Sequence, residues 1–277
     1  MSDLATADAS TAEAKQEIGR FFWYELMTSD QDAAITFYEK VVGWNMSDMP
    51  MPDGSGARYT ILNAGERGIG GLMQINADMK AGGAVPAWIG YVHVAEADAA
   101  AKAIADAGGK VLMGPMDIPT VGRFAFVTDP GGAAFYVMAP FPRADGVPPP
   151  LDQYAQGNVG WHELYAADGE AKAFDFYSGQ FGWTTTSEMD MGAMGKYRLF
   201  ATGGDEPVGG MMDKPAQMPM GAWQFYFNVD AIDAAAGRVT GNGGQIIMGP
   251  MEVPNGMWVV QGIDPQGAHF ALVAPKR

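Results

Sequence analysis

The feature that most constrains this chain is that it is written twice. FFWYELMTSDQDAAITFYEKVVGW, residues 21–44, returns as WHELYAADGEAKAFDFYSGQFGW at 161–183, so that Trp23, Glu25 and Leu26 recur as Trp161, Glu163 and Leu164. GGKVLMGPMDIPTVGRFAFVTDPGGAAFYVMAP, residues 108–140, returns as GGQIIMGPMEVPNGMWVVQGIDPQGAHFALVAP at 243–275, and Gly114, Pro115, Met116, Pro119, Asp129, Pro130 and Gly132 come back as Gly249, Pro250, Met251, Pro254, Asp264, Pro265 and Gly267. A unit of this length is too long for a solenoid repeat and has the size of a domain. Two homologous domains are predicted, at 18–141 and 157–275. Residues 142–156, within FPRADGVPPPLDQYAQGN, read as a linker, because proline obstructs both helices and central strands. Residues 1–17 lack the apolar run of a signal peptide and read as a disordered tail.

Each half holds a weaker repetition of its own. The apolar run FFWYELM leads to Ser29 and Asp30, residues suited to a helix start, and then to DQDAAITFYEKVVG, in which Phe37, Tyr38 and Val41 form one stripe before Gly43. WIGYVHV, residues 88–94, leads likewise into EADAAAKAIADAGG, and the same pattern follows Trp161 and Trp223. Four strand-to-helix openings, each succeeded by short apolar runs and glycine turns, predict four β-α-β-β-β modules and an α+β class. A doubly wound α/β fold would need more helices and fewer hairpins.

Composition narrows function by exclusion. With 32 acidic against 17 basic residues the formal charge is −15, which disfavours nucleic acid and anionic membranes as partners. The absence of cysteine removes disulfides, zinc-cysteine clusters and thiol nucleophiles. No segment has transmembrane length. A cytoplasmic protein follows as the expectation.

The strand before Asp30, the Phe37-Tyr38 pair, the Gly43-Trp44 ending and the later GP…P…G…DPGG stretch, with their echoes at Phe176, Tyr177, Gly182, Trp183 and DPQG, resemble the glyoxalase, bleomycin-resistance and extradiol-dioxygenase superfamily, also called vicinal oxygen chelate proteins. The resemblance covers 20–140 and 158–275. It implies sheets curled around a concave ligand cavity, with the whole chain standing as a fused dimer, and hence a monomer with an internal pseudo-dimer. It also implies where metal ligands would sit in metal-dependent relatives: on the first strand of a module, here Trp23, Ile89, Trp161 and Gln224, and on the last, here Tyr136 and Ala271. Only Gln224 could bind a divalent ion, and one neutral amide is poor support for a site needing several donors. No metal and no cofactor are therefore expected.

The histidine of WHEL does not change this. On a strand, adjacent side chains point to opposite faces, so His162 and Glu163 diverge, and His93 and His269 lie elsewhere in the sequence. By the same parity Glu25 and Glu163 share the cavity face with Trp23 and Trp161, which makes them the candidate catalytic acids or bases. Substrate-binding candidates are Trp23, Ile89, Tyr91, Arg123, Tyr136, Trp161, Gln224, Tyr226 and Asn228. Arg123 could meet an anion in the first half, where the second has Trp258. Met113, Met116, Met248 and Met251 read as core residues of a proline-restricted hairpin, with a polarizable ligand surface as the alternative. The expected function is metal-independent binding of a small, partly apolar organic molecule. A lyase or isomerase using a cavity glutamate, and a structural or regulatory protein with filled cavities, remain as alternatives.

Overall fold

The computed structural model describes residues 18–51, 55–142 and 151–277. The tail at 1–17 and the proline-rich centre of the linker lie outside them. The first half runs β1 (Phe21–Thr28), α1 (Gln31–Val41), β2 (Asn45–Pro50), β3 (Arg58–Ala64), β4 (Arg67–Gln74), α2 (Ala77–Ala81), β5 (Ala87–His93), α3 (Ala97–Asp106), β6 (Lys110–Ile118), β7 (Gly122–Thr128) and β8 (Ala134–Pro140). The second runs β9 (Val159–Ala166), α4 (Glu170–Phe181), β10 (Thr184–Asp190), a 3-10 turn (Gly192–Met194), β11 (Lys196–Ala201), β12 (Gly209–Asp213), β13 (Ala222–Asn228), α5 (Ile232–Gly241), β14 (Gln245–Glu252), β15 (Trp258–Ile263) and β16 (His269–Ala274).

The modules are visible in the strand order. Sheet one runs β2-β3-β4-β1-β5-β8-β7-β6 and sheet two β10-β11-β12-β9-β13-β16-β15-β14. A module's helix carries the chain away from its first strand, two hairpin turns bring it back, and the last strand pairs parallel with the first, as β4 does with β1, β8 with β5 and β16 with β13. These are mixed sheets with few helices, the α+β architecture that the repeat predicts.

Local chemistry sets the elements. Asp30 caps α1 by accepting a hydrogen bond from the Ala33 amide at 3.1 Å, and the helix buries Ala34, Phe37, Tyr38 and Val41, the stripe expected from spacing. Gly43 follows at φ 90°, a left-handed backbone that glycine adopts without Cβ strain.

Packing divides the chain into two compact units that cross the sequence halves. Of the described residues, one contains those up to Phe22 and those within Tyr91–Leu151 and Leu164–Ala222; the other contains those within Trp23–Gly90, Asp152–Glu163 and Trp223–Arg277. Each thus combines the second module of one half with the first module of the other. The repeated motifs account for this exchange. In the first unit the Tyr177 hydroxyl donates to Asp129 at 3.2 Å, and Asp129 also accepts from the Ala133 amide at 2.8 Å. In the second unit the Tyr38 hydroxyl donates to Asp264 at 3.1 Å, and Asp264 accepts from the Ala268 and Gln266 amides. The tyrosine of the FY pair in one half therefore closes the DP turn of the other.

The glycine-tryptophan endings complete both cores. Trp183 stacks on Tyr177 and Phe200, with ring centroids at 5.0 and 4.5 Å, and donates its indole N–H to the Gly19 carbonyl. Trp44 stacks on Tyr38 at 5.7 Å and donates to the Gly157 carbonyl, while Trp88 donates to the Tyr38 hydroxyl at 2.8 Å. Burial pushes the Tyr38 phenol well above its ordinary pKa and raises both Asp129 and Asp264.

The methionine expectation is corrected for three of four residues. Met113, Met116 and Met251 are exposed, whereas Met248 packs against the apolar group around Tyr226. The reason is position: β6 and β14 are the outermost strands of their sheets, and register shifts interrupt their pairing with β7 and β15. Among the described residues neither strand has a second neighbour to cover it.

Candidate functional site

The two glutamates lie on strands β1 and β9, and both are buried, at 5 and 8% exposure. A buried carboxylate needs hydrogen-bond donors, and each has them. Glu25 Oε2 accepts from the Tyr59 hydroxyl at 3.0 Å, and that hydroxyl accepts from the Trp23 indole at 3.1 Å. Tyr59 reaches β1 by leaning over β4, where its ring crosses Gly71, the register partner of Glu25. A Cβ on Gly71 would stand 1.9 Å from the Tyr59 hydroxyl. The last glycine of GIGG thus makes room for a tyrosine, and the echoing Gly210 does the same for Tyr197, whose ring would be 2.2 Å from an added Cβ.

Glu163 has a different set. Its Oε2 accepts from the Tyr226 hydroxyl at 2.7 Å and from Gln261 Nε2 at 3.3 Å, and Gln261 Nε2 also donates to the Tyr226 hydroxyl at 2.7 Å. Tyr226, on β13, and Gln261, on β15, are separated by β16, where both are register partners of Ala271. The small side chain of Ala271 lets the two polar groups meet above it. Trp161, Met248, Val253 and Met257 pack against the apolar part of this patch, formed by Tyr226, Val259, Ala271 and Val273.

The corresponding row of the first half is aromatic. Tyr91, on β5, and Phe126, on β7, both pair with Tyr136 on β8. Tyr91 stacks on Tyr136 with centroids 4.2 Å apart and planes 16° from parallel, and Phe126 and Phe124 close on Tyr136 at 4.7 and 5.8 Å. Where one half has Tyr136 and Phe126, the other has Ala271 and Gln261.

The remaining expected residues fall into several environments. His162 faces away from Glu163 and shares a 2.6 Å hydrogen bond with the Tyr24 hydroxyl, in an aromatic group with Phe225. This joins the two positions that differ between the WYEL and WHEL copies. Burial raises the Tyr24 phenol above its ordinary pKa. Arg123 is partly exposed and bound by Asp98 and Asp117. Its guanidinium is accordingly held in the charged form, chiefly by the hydrogen bond to Asp98. Asn228 donates to the carbonyls of Gln153 and Ala155, fastening the end of the linker. Ile89 is buried, and Gln224, 8% exposed on β13, has an amide nitrogen that is buried without a hydrogen-bond partner.

Sequence reasoning missed Tyr59 and Gln261. The first was marked by glycines in a strand, a sign of close approach by another group. The second was marked by a glutamine standing where its echo is Phe126.

The positions at which the resemblance would seat a metal offer few donors for one. Among the described residues no three His, Cys, Asp or Glu come together as a metal-holding group. The positions indicated by the resemblance carry two tryptophans, an isoleucine, a tyrosine, an alanine and one glutamine. None of the described helices is long and apolar enough to cross a membrane.

Comparison with known proteins places this geometry in a broader group. A family model described as the Glyoxalase/Bleomycin resistance protein/Dioxygenase superfamily matches residues 20–137 and 161–272. "Putative glyoxylase CFP32" of Mycobacterium bovis is 34% identical over 257 residues, covering 91% of this chain and 94% of that protein. "Anthracycline biosynthesis protein DnrV" of Streptomyces peucetius is 30% identical over 268 residues, covering 91% of each. Among solved structures, a Mn(II)-bound glyoxalase from Novosphingobium aromaticivorans superposes with a TM-score of 0.62 at 15% identity, covering 94% of this chain and 83% of that one. A 2,2',3-trihydroxybiphenyl 1,2-dioxygenase from Sphingomonas wittichii does so with 0.63 at 12% identity, covering 93% and 90%. These structural likenesses speak to the fold alone.

Proposed function

The chain belongs to the Glyoxalase/Bleomycin resistance protein/Dioxygenase superfamily, and on that premise we propose that it binds a small, partly apolar organic molecule without using a metal. The observation that carries the reading is the buried Glu163–Tyr226–Gln261 network, set beside Trp161 and the methionines on a face whose metal-equivalent positions lack a donor set. Large apolar surface with a few placed polar groups is the usual composition of a small-molecule site. Trp161 supplies contact area, and the network supplies a fixed polar edge. In the first half Glu25 is held by Tyr59, which in turn accepts from Trp23.

A lyase or isomerase would ask Glu25 or Glu163 to move a proton. In the structure both carboxylates accept hydrogen bonds from tyrosine, an arrangement that suits orientation of a polar group at least as well as proton abstraction. The relative named a glyoxylase favours the enzymatic alternative, and the relative named for anthracycline biosynthesis accords with a bulky organic ligand. Arg123 is given no anion-binding role here, since two aspartates engage it.

Mass spectrometry of the molecules released from untreated protein, paired with metal analysis after soaking in manganese, nickel, zinc or iron and dialysis, tests this. The expected result is an organic molecule retained and no stoichiometric metal. Stoichiometric metal retention would refute metal independence. Recovery of no organic molecule, together with tightly filled cavities in a crystal structure, would refute binding.

A further inference from the structure

The two halves are near copies, yet three positions on corresponding faces have changed together. Ile89, Phe126 and Tyr136 of the first half correspond to Gln224, Gln261 and Ala271 of the second. In the first half Tyr91, Phe126 and Tyr136 fill their face with ring against ring, leaving Tyr91 4% and Tyr136 5% exposed. In the second, one ring is reduced to a methyl group and two apolar side chains become amides. One amide, Gln261, completes the network with Tyr226 and Glu163. The other does not: Gln224 Nε2 is buried with no acceptor.

An unpaired buried donor is costly, and a partner that arrives from outside is one physical reason for a fold to keep it. Gln224 and Tyr226 are two residues apart on β13 and so share the face that carries Trp161 and the Glu163 network. The missing partner must be an acceptor. It must also be uncharged, because Glu163 lies on the same face and the chain as a whole carries a formal charge of −15.

We infer that the halves are unequal, and that the second half alone takes a neutral, largely apolar carbonyl compound, whose oxygen accepts a hydrogen bond from Gln224 Nε2 while its apolar body lies against Trp161 and the surface around Ala271. This rests on the binding reading given above and specifies both the half and the chemical class. The first half, with isoleucine at the matching position and its aromatic row stacked, holds no such molecule.

Shape-matched probes separate the parts of this inference. 9-Fluorenone carries the carbonyl, fluorene lacks it and 9-fluorenol replaces it with a hydroxyl; each is titrated against the full chain, followed by tryptophan fluorescence and by the side-chain amide signals of 15N-labelled protein. Fluorenone is expected to bind more tightly than fluorene or fluorenol and to shift the Gln224 amide resonance. Gln224→Leu, close in size, should weaken fluorenone by roughly two- to twelvefold, the worth of one hydrogen bond, and leave fluorene unchanged. Ala271→Tyr should abolish binding of both. Equal affinity for fluorenone and fluorene, preference for fluorenol, or an unmoved Gln224 signal at saturation would overturn the donor assignment even if Ala271→Tyr fails to fold. Binding that survives a folded Ala271→Tyr would overturn the assignment to the second half. Failure of wild type to bind any of the three overturns this inference, while an organic molecule recovered from untreated protein would still sustain the binding reading.

Discussion

Replacing Gly71 by alanine is a small change at a place with no room for it. The new Cβ would lie 1.9 Å from the Tyr59 hydroxyl and 2.1 Å from the ring carbon bearing it. The ring must leave, and two hydrogen bonds leave with it, from Tyr59 to Glu25 and from Trp23 to Tyr59. Overpacking costs roughly 1–3 kcal/mol, and the two hydrogen bonds contribute roughly 0.5–1.5 kcal/mol each. Gly71→Ala should therefore destabilise the protein by about 2–6 kcal/mol. In a Tyr59→Ala background the clash and both bonds are already gone. There the same substitution should be neutral or stabilise by about 0.5–1 kcal/mol, the ordinary gain from removing a strand glycine. Urea unfolding of the four proteins in this cycle, read by tryptophan fluorescence, measures the coupling directly. Additive effects, with Gly71→Ala equally harmful in both backgrounds, would refute the view that this glycine exists to let Tyr59 reach Glu25.

Tyr38→Phe should cost about 2–4 kcal/mol in unfolding free energy, because it strips the Trp88 indole of its acceptor and Asp264 of a donor within a buried core; a loss below about 0.5 kcal/mol would show that the phenol is not holding the DP turn. Asp264 has a folded-state pKa raised by burial, so its contribution to stability is fully present below the unfolded carboxyl range near 3.8 and is lost as pH rises through the folded value. Stability of wild type relative to Asp264→Asn should accordingly decline as pH is raised from about 3 to 7; a relative stability that rises over that interval would refute the sign. Arg123→Ala should leave fluorenone affinity unchanged, since Asp98 and Asp117 engage the guanidinium; a clear weakening in titration would return Arg123 to the ligand site.

The sequence made some of this readable because strands and helices report their own periodicity. Glu25 with Trp23, and Glu163 opposed to His162, follow from alternation alone, and the stripe of α1 from helical spacing. The exchange of partners between halves did not. FY and DP motifs occur in both copies, and nothing local tells Tyr38 whether to close the turn at Asp129 or at Asp264; packing over more than two hundred residues decides it. The exposure of Met113, Met116 and Met251 was hidden for a related reason, since whether an apolar strand is central or outermost depends on neighbours far away in sequence. Gln261 was legible only by comparison with its echo, as a polar residue in a position where the copy has Phe126.

The crossed pairing of tyrosine and aspartate has a consequence for inheritance. When a gene is duplicated in tandem, each copy is ordinarily free to drift as a self-sufficient piece. Here a change at Asp264 is felt by Tyr38, and a change at Asp129 by Tyr177, so compensating substitutions must arise on opposite sides of the linker. The rows around Tyr136 and Ala271 are built differently, because Tyr91 stacks on Tyr136 within one copy and Tyr226 meets Gln261 within the other. Selection can therefore remodel one of these rows while the scaffold keeps both copies in step, and a recombination event that swapped in a distant second half would have to bring matching aspartates and tyrosines to keep the crossed bonds.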